Sequence, residues 1–408
     1  MTNYERQKFV YGLLCKVYFD KAYCGIVLND GIGLAPEGDR AFITKVFYGV
    51  IEKDVYLNYA LSALVKQSPQ PKVALVMKIG LYQLYFTDQA PYAVVSASVD
   101  LVKSIGKKEV AGFVNATLKN YKKARFPDKT DKINYLSVFG GVPVWLAKKL
   151  SAEYGFDSAL ETLTFKLTDK THIRNNPAVI SKEELKNKYG LLDQSEYGFF
   201  VGAEQLKKMA PDEYTVQSLS SMKAVKIYLG DLSGGKVLDV CAAPGGKSVY
   251  IAQSGNFIVT ACDIHEHRVE LIKKYAARMK ENLFVVRNDA EKDNEQWHDA
   301  FDVVVCDVPC SGIGVIRSKP DVLLNRKEAD IPVLARSQKK ILGVSAEYVK
   351  PGGRLCYSTC TVLKEENEKV VESFLGNHPG FELISEKTML PQNDGCDGFF
   401  VAVMRRKV

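Results

Sequence analysis

"KVLDVCAAPGGKS" (residues 236–248) decides the fold. An apolar run carrying one acid, Asp239, leads into a loop of small residues, and the chain then takes up a helical pattern. This reads as strand, tight turn, helix. The same alternation continues downstream. "FIVTACD" (257–263) is a second strand and "EHRVELIKKYAARM" (266–279) a helix. "LFVVRND" (283–289) is a third strand and "AFDVVVCDVPC" (300–310) a fourth. "IPVLARSQKKILGVSAEYV" (331–349) is a long helix that "KPGG" should stop, and "RLCYSTC" (354–360) is a fifth strand. Apolar strands alternating with helices predict a parallel sheet covered on both faces. The tail, "FELIS" and then "GFFVAVMRR", predicts an antiparallel pair at the sheet edge.

In an open α/β sheet, ligands bind outside the carboxyl ends of the strands. The residues expected there are Asp239 with the loop Cys241–Lys247, Asp263, Asp289, Asp307 with Cys310, and Cys360. The glycine loop has neither the G-x-G-x-x-G nor the P-loop spacing, so no pyrophosphate fingerprint applies. Gly245 and Gly246 let backbone approach a ligand with no Cβ in the way. Asp263 stands about where an acid would hold ribose hydroxyls, and Asp289 where an adenine amino group could be met. A nucleoside without a pyrophosphate fits this set, and S-adenosylmethionine is the common example. The competing reading is an ordinary glycine turn after a strand.

The cysteines need a separate argument. Cys306/Cys310 and Cys356/Cys360 are both C-x-x-x-C pairs, which invites a zinc reading. Four residues along a strand span about 13 Å, whereas a zinc–thiolate bond is about 2.3 Å. Neither pair chelates one metal unless the chain turns sharply, so no metal is expected. Cys306 and Cys356 are assigned to the core, where free cysteine is common. Cys310 and Cys360 are expected past their strands, in the crevice. A thiolate there is a nucleophile. Carbon 5 of a pyrimidine is too weak a nucleophile to take a methyl group unaided. Thiolate addition at carbon 6 makes the ring enamine-like, and a second group must then remove the carbon-5 proton. That chemistry explains one cysteine in a cofactor crevice. It does not say which one, or why there are two.

The rest of the chain sets the context. Its 408 residues imply two or three domains. Hydrophobic residues make up 46%, as in a packed globular protein, and no apolar run is long enough to span a bilayer. The polar start, "MTNYERQKFV", does not read as a signal peptide, and nine cysteines without a disulfide rhythm suit a reducing compartment. A cytoplasmic protein is expected. The net charge of +7 permits a polyanionic partner without demanding one. Residues 1–126 read as an all-helical domain with no catalytic look. Phe9, Val10, Leu13, Leu14 and Val17 share one face. Asp39 is a candidate cap ahead of the stripe Phe42, Val46, Phe47 and Val50, and "NYKKARF" (120–126) is a basic close. Residues 127–212 read as a small α+β linking subdomain. There "FPDKTDK" is a connector, "VPVWLAKKLSAEYG" a helix and "LTFKLTDKTHIRNNP" an alternating strand. Residues 213–408 are the α/β domain.

Several segments together resemble a known family. "LDVCAAPGGKS", "DVPCSGIGVIRSKPD", "RSQKKIL", "PGGRLCYSTCTVLKEENEKVV" and "DGFFVAVMRR" are similar, in order, to the signature segments of the Nol1/Nop2/Sun family of RNA cytosine-C5 methyltransferases. The resemblance covers about 230–408. It implies a Rossmann-like methyltransferase domain that uses S-adenosylmethionine. It implies that Cys360 is the nucleophile and that Cys310 helps release product. Cofactor contacts would fall on Cys241, Ala242, Ala243, Pro244, Gly245, Gly246 and Lys247, and on Asp263, Asp289 and Asp307. Val308 stands where the family usually has alanine. Asp307 is the nearest carboxylate for the carbon-5 proton, but the base itself stays open. "DRAFITKVFYGVI", "KIGLYQLYF" and "GFVNATLKN" resemble the NusB antitermination-factor fold. A NusB-like domain ahead of a Sun-type domain implies an RNA partner, a cytosine of small-subunit (16S) ribosomal RNA. A monomer with no membrane and no metal partner is expected. Transfer RNA as substrate is the alternative, and a non-catalytic RNA-binding or assembly factor is the alternative of another class.

Overall fold

Helix signals govern the first 164 residues of the computed structural model, which describes residues 1–408. The helices are α1 (Asn3–Tyr18), α2 (Cys24–Ile32), α3 (Glu37–Glu52), α4 (Asp54–Leu64), α5 (Pro71–Phe86), α6 (Pro91–Ser104), α7 (Ala111–Lys119), α8 (Lys132–Gly140), α9 (Val144–Tyr154) and α10 (Phe156–Thr164). A capping box of Thr2 and Glu5 opens α1, and Val10, Leu13, Leu14 and Val17 are buried as the stripe predicts. Pro71 and Pro91 each occupy a first helical turn, where the missing N–H costs nothing. Gly49 on α3 has no side chain because the Tyr82 ring of α5 fills that space.

Asp39 is not the cap of α3. The helix starts earlier, at Glu37, after the preset backbone of Pro36. Asp39 lies buried in the first turn, where it accepts a hydrogen bond from Arg6 Nε at 2.6 Å. A carboxylate with a partner on another helix has no need to cap its own.

The chain forms two units: Met1–Thr164 with Ile316–Glu328, and Phe165–Val315 with Ala329–Val408. Residues 127–212, expected as one linking region, fall on both sides of that division. Helices α8–α10 belong with the first helices, and α8 packs on α4. The excursion 316–328 is tied to the helical unit by Asp321, which accepts from Cys24 N at 3.0 Å.

The second unit begins with a three-stranded antiparallel sheet in the order β2-β1-β3. Its elements are β1 (Thr171–Asn175), α11 (Lys182–Tyr189), β2 (Phe199–Val201), α12 (Ala203–Leu206) and β3 (Tyr214–Val216). The strand read from "LTFKLTDKTHIRNNP" is confined to Thr171–Asn175; residues 165–170 pair with no strand. Then follow α13 (Leu219–Leu229), β4 (Gly234–Asp239), α14 (Gly246–Ala252), β5 (Asn256–Asp263), α15 (Glu266–Arg278), β6 (Phe284–Arg287) and β7 (Phe301–Asp307). After α16 (Val322–Asn325), which lies in the helical unit, come α17 (Asp330–Ala346), β8 (Val349–Thr359), α18 (Glu368–Asn377), β9 (Phe381–Met389), α19 (Pro391–Asp394) and β10 (Phe399–Arg406).

The seven strands order as β6-β5-β4-β7-β8-β10-β9. The first five are mutually parallel, and β10 and β9 add the antiparallel edge expected from the tail. Alternate residues bury on opposite faces, as a doubly covered sheet requires. Leu238, Val304, Leu355 and Phe400 form one core, and Val237, Val303, Cys356 and Val401 the other. "KPGG" does not sit between helix and strand. It lies inside β8, where the register against β7 jumps from Phe301↔Val349 to Val303↔Arg354. The glycines accommodate a bulge, with Gly352 at φ +80°.

Candidate active site

Strand β4 delivers Asp239 to the rim of the sheet, 1% exposed. Ser248 Oγ donates to its Oδ2 at 2.6 Å, while its buried Oδ1 has no hydrogen-bond partner. Burial raises its pKa to about 6, against the lowering effect of the Ser248 bond. The loop Cys241–Gly246 then turns tightly. Its Ala243–Pro244 bond is cis, and Gly245 takes φ +106°, a left-handed value that favours glycine. Ala242 N donates to Cys262 O and Gly245 N to Ala242 O, both at 2.7 Å, and α14 begins directly after the turn.

The next two acids are held by their own loops. Asp263 ends β5 and accepts from His265 N at 3.0 Å, with Arg268 at 3.8 Å. Asp289 lies two residues beyond β6, accepts from Glu291 N at 3.1 Å and faces Lys292 at 3.4 Å. Asp307 ends β7 and is more heavily engaged. Lys247 Nζ donates to its Oδ2 at 2.7 Å and Ser358 Oγ to its Oδ1 at 2.8 Å. The buried Tyr228 hydroxyl on α13 donates in turn to Ser358. Burial disfavours the Lys247 ammonium, yet Asp307, Asp239 and Cys360 together raise its pKa.

Parallel register brings the two thiols together. Asp307 on β7 lies opposite Ser358 on β8. Three residues past Asp307 stands Cys310, and two past Ser358 stands Cys360. Their sulfurs are 2.9 Å apart, and Cys360 N also donates to Cys310 Sγ at 3.2 Å. Neither thiol is part of a disulfide, and both are partly exposed. The hydrogen bond to Cys360, burial and the Cys360 charge all push the Cys310 thiol well above its usual range. The loops that carry the thiols are pinned from behind. Glu366 accepts from Ser311 N at 2.8 Å and from Gln338 Nε2 at 3.0 Å. Gly314 N donates to Cys360 O at 3.0 Å, and Gly314 and Gly398 stack backbone on backbone where a Cβ would collide.

The remaining cysteines stay apart from this pair. Cys306 and Cys356 are fully buried, one in each core. Burial pushes Cys241 up strongly, which leaves it a thiol. No group of three or more His, Cys, Asp or Glu side chains has metal-binding geometry, and no helix is long and apolar enough to cross a membrane. Three participants escaped the sequence reading. Ser358 and Glu366 stand inside the quoted "PGGRLCYSTCTVLKEENEKVV", so their position was visible and their bonds were not. Tyr228 gave no signal, since a tyrosine on an apolar helix face reads as core.

The sheet order, the glycine turn into α14 and the acids at successive strand ends define a Rossmann-like methyltransferase. The residues present fit S-adenosylmethionine: Asp239 keeps an unpartnered buried oxygen beside the loop, and Gly245 supplies the left-handed turn that leads into α14. S-adenosylmethionine is the cofactor of this class, and it supplies an electrophilic methyl group when bound. The comparisons narrow the class further. A profile of the family described as 16S rRNA methyltransferase RsmB/F matches residues 227–405, and a NusB family profile matches residues 5–123. The probable ribosomal RNA small subunit methyltransferase B of Bacillus subtilis (strain 168) is 32% identical over 97% of each chain. The ribosomal RNA small subunit methyltransferase B of Xanthomonas campestris pv. campestris is 28% identical over 91% of this chain and 90% of its own. The crystal structure of PH0851 superposes with a TM-score of 0.82 at 21% identity, covering 100% of this chain and 99% of that one. NSun6 from Pyrococcus horikoshii gives 0.56 at 19% identity, covering 66% and 99%. The chain belongs to the RsmB/F family of methyltransferases, with a NusB domain at its N-terminal end.

Proposed function

We propose that this protein methylates carbon 5 of a cytosine in small-subunit (16S) ribosomal RNA through a transient bond between Cys360 and the base. The observation that carries the chemistry is the thiol pair, 2.9 Å apart at the ends of adjacent parallel strands. The substrate rests on the relatives, whose names specify small-subunit ribosomal RNA. Cys360 adds through sulfur to carbon 6, which makes carbon 5 nucleophilic enough to take the methyl group. Loss of the carbon-5 proton and cleavage of the carbon–sulfur bond then release the methylated base and restore the thiolate. Cys310 carries a proton beside that sulfur and assists the release. Lys247 keeps positive charge near Cys360, and Asp307 fixes Lys247 while Ser358 and Tyr228 fix Asp307. The glycine loop, Asp263 and Asp289 would hold the cofactor, and the NusB-like helices would position RNA.

The test is a denaturing gel with labelled RNA and cofactor. Cys310→Ala should accumulate protein joined to methylated RNA, and Cys360→Ala should bind both ligands and transfer nothing. An adduct in Cys360→Ala with none in Cys310→Ala would reverse the roles, and full activity in both would end the covalent mechanism. Mapping 5-methylcytosine in ribosomal and transfer RNA from a deletion strain decides the substrate. Loss of a site in transfer RNA alone would overturn the ribosomal assignment.

A further inference from the structure

The small sheet of the second unit carries a buried arginine that the chemistry above does not use. Arg174 on β1 is 3% exposed, and burial pulls its pKa down. Its Nε donates to Gln217 Oε1 at 2.7 Å and its Nη1 to Gln253 Oε1 at 2.5 Å. The guanidinium also lies 4.9 Å from the ring centroid of Tyr250. Gln253 is the C-cap of α14 and Tyr250 lies in its last turn. Gln217 reaches the other end of the same helix, where its Nε2 donates to Gly246 O at 3.2 Å. Gly246 is the first residue of α14 and the last glycine of the cofactor loop.

Strand β1 grips Gln217 at two further points. Gln217 N donates to His172 O at 3.2 Å, and His172 Nδ1 donates to Gln217 O at 2.8 Å. The acceptor is a carbonyl, so this ring nitrogen carries the proton. Burial lowers the His172 pKa and keeps the ring neutral near pH 7. One strand thus fixes the main chain and side chain of a single glutamine, and that glutamine holds the glycine turn.

We infer that Arg174 and Gln217 are positioning residues for cofactor binding: together they brace both ends of α14 and so hold the glycine loop in its binding conformation. The geometry favours a brace over a general stability element for two reasons. The contacts converge on the one helix whose first turn lines the cofactor crevice. A charged group is also a costly choice for packing alone, since a desolvated guanidinium must be compensated. The third guanidinium nitrogen, Nη2, is buried with no hydrogen-bond partner, and Nη1 makes only a long bond of 3.4 Å to Asn175 O besides Gln253, so the charge rests mainly on the two glutamines and Tyr250. An unbraced turn must be ordered when ligand arrives, and that ordering is subtracted from affinity.

The experiment is calorimetry of S-adenosylmethionine and S-adenosylhomocysteine binding to the full-length chain, with hydrogen exchange of residues 241–253 in the ligand-free protein. Gln217→Glu keeps an acceptor for Arg174 but loses the donor to Gly246. Arg174→Lys keeps a charge but cannot reach both glutamines. Each should weaken both ligands about five- to tenfold, the scale of one net hydrogen bond. Exchange across 241–253 should rise, and RNA affinity should hold. Measurement well below each variant's melting temperature separates a brace from a stability effect. A lower melting temperature with unchanged cofactor affinity and unchanged exchange in the loop would overturn the inference. So would a loss of RNA and cofactor affinity in equal measure.

Discussion

Removing either thiol should change the reactivity of the other in opposite directions. Cys310 is held well above the usual thiol range, first by its hydrogen bond with Cys360, then by burial, then by the Cys360 charge and Glu366. Cys360→Ala removes the first and third of these causes and leaves burial and Glu366. A hydrogen bond to a charged group is worth about 1.5–3 kcal/mol, and 1.36 kcal/mol is about one pH unit. At a fixed pH the Cys310 thiolate fraction should therefore rise about tenfold or more, and its alkylation rate with it. Cys310→Ala does the reverse. It takes away the sulfur that shares a hydrogen bond with Cys360 across 2.9 Å, so, if the Cys360 thiolate is what that bond stabilises, alkylation of Cys360 should slow about tenfold near pH 7. The assay is a time course with iodoacetamide at constant pH, in which the peptides carrying residues 310 and 360 are quantified separately by mass spectrometry. The reasoning fails if Cys310 alkylates more slowly in Cys360→Ala than in the parent. It fails equally if both surviving thiols speed up, because that would mean each merely shields the other from reagent.

Three further outcomes are expected. Burial raises Asp239 to about 6, above the roughly 3.9 of an unfolded chain, so the native state binds this proton more tightly and its contribution to stability is lost as pH rises through about 4 to 6. Melting temperatures should therefore fall more between pH 5 and pH 7.5 in the parent than in Asp239→Asn, by the equivalent of about 1.4 kcal/mol, one pH unit of the shift; equal slopes would mean that Asp239 is already ionised at pH 5. Asp263→Ala should weaken S-adenosylmethionine by about 1–3 kcal/mol in calorimetry, and an unchanged Kd would remove Asp263 from the cofactor site. Lys122, Lys123 and Arg125 are exposed at the end of the NusB-like helices. Changing all three to Gln should lower the slope of log K against log salt by about two to three for ribosomal RNA, whereas an unchanged slope would make them ordinary surface charge.

The fold was legible because period and punctuation agree over most of the chain. Strands β5 and β7, and the ends of β4 and β8 nearest the site, are largely apolar, as strands buried on both faces must be, and each ends where a polar residue leaves the sheet. Helices α1 and α3 show their stripes, although the start of α3 was misplaced because Pro36 sets the first turn and Asp39 answers Arg6 instead. Long-range partnerships were not legible. Nothing around Arg174 announces that it meets Gln217 and Gln253, 43 and 79 residues away. Nor does the run "RSKPD" say that Asp321 binds Cys24, 297 residues earlier. Such pairs are created by topology, and one-dimensional patterns carry no trace of them. The acids proposed for the site could be named because strand ends are local features. Tyr228 was missed because its hydroxyl acquires its role from Ser358, a residue 130 positions on.

The same limit explains why the sequence could suggest two thiols but not account for both. Along the chain, Cys310 and Cys360 are 50 residues apart, and each looks like the end of its own strand. Only parallel pairing of β7 with β8, in the register that sets Asp307 against Ser358, carries both ends to the same side of the sheet. An antiparallel pairing would send them to opposite edges. A slip of one residue would turn every side chain of β8 to the other face. It would carry Cys356 out of its core and take Ser358 away from Asp307. The packing of the two faces and the geometry of the thiols are therefore one constraint. A substitution that disturbs the bulge at Gly352 and Gly353, far from the crevice along β8, should damage the site through register before it damages it through any contact.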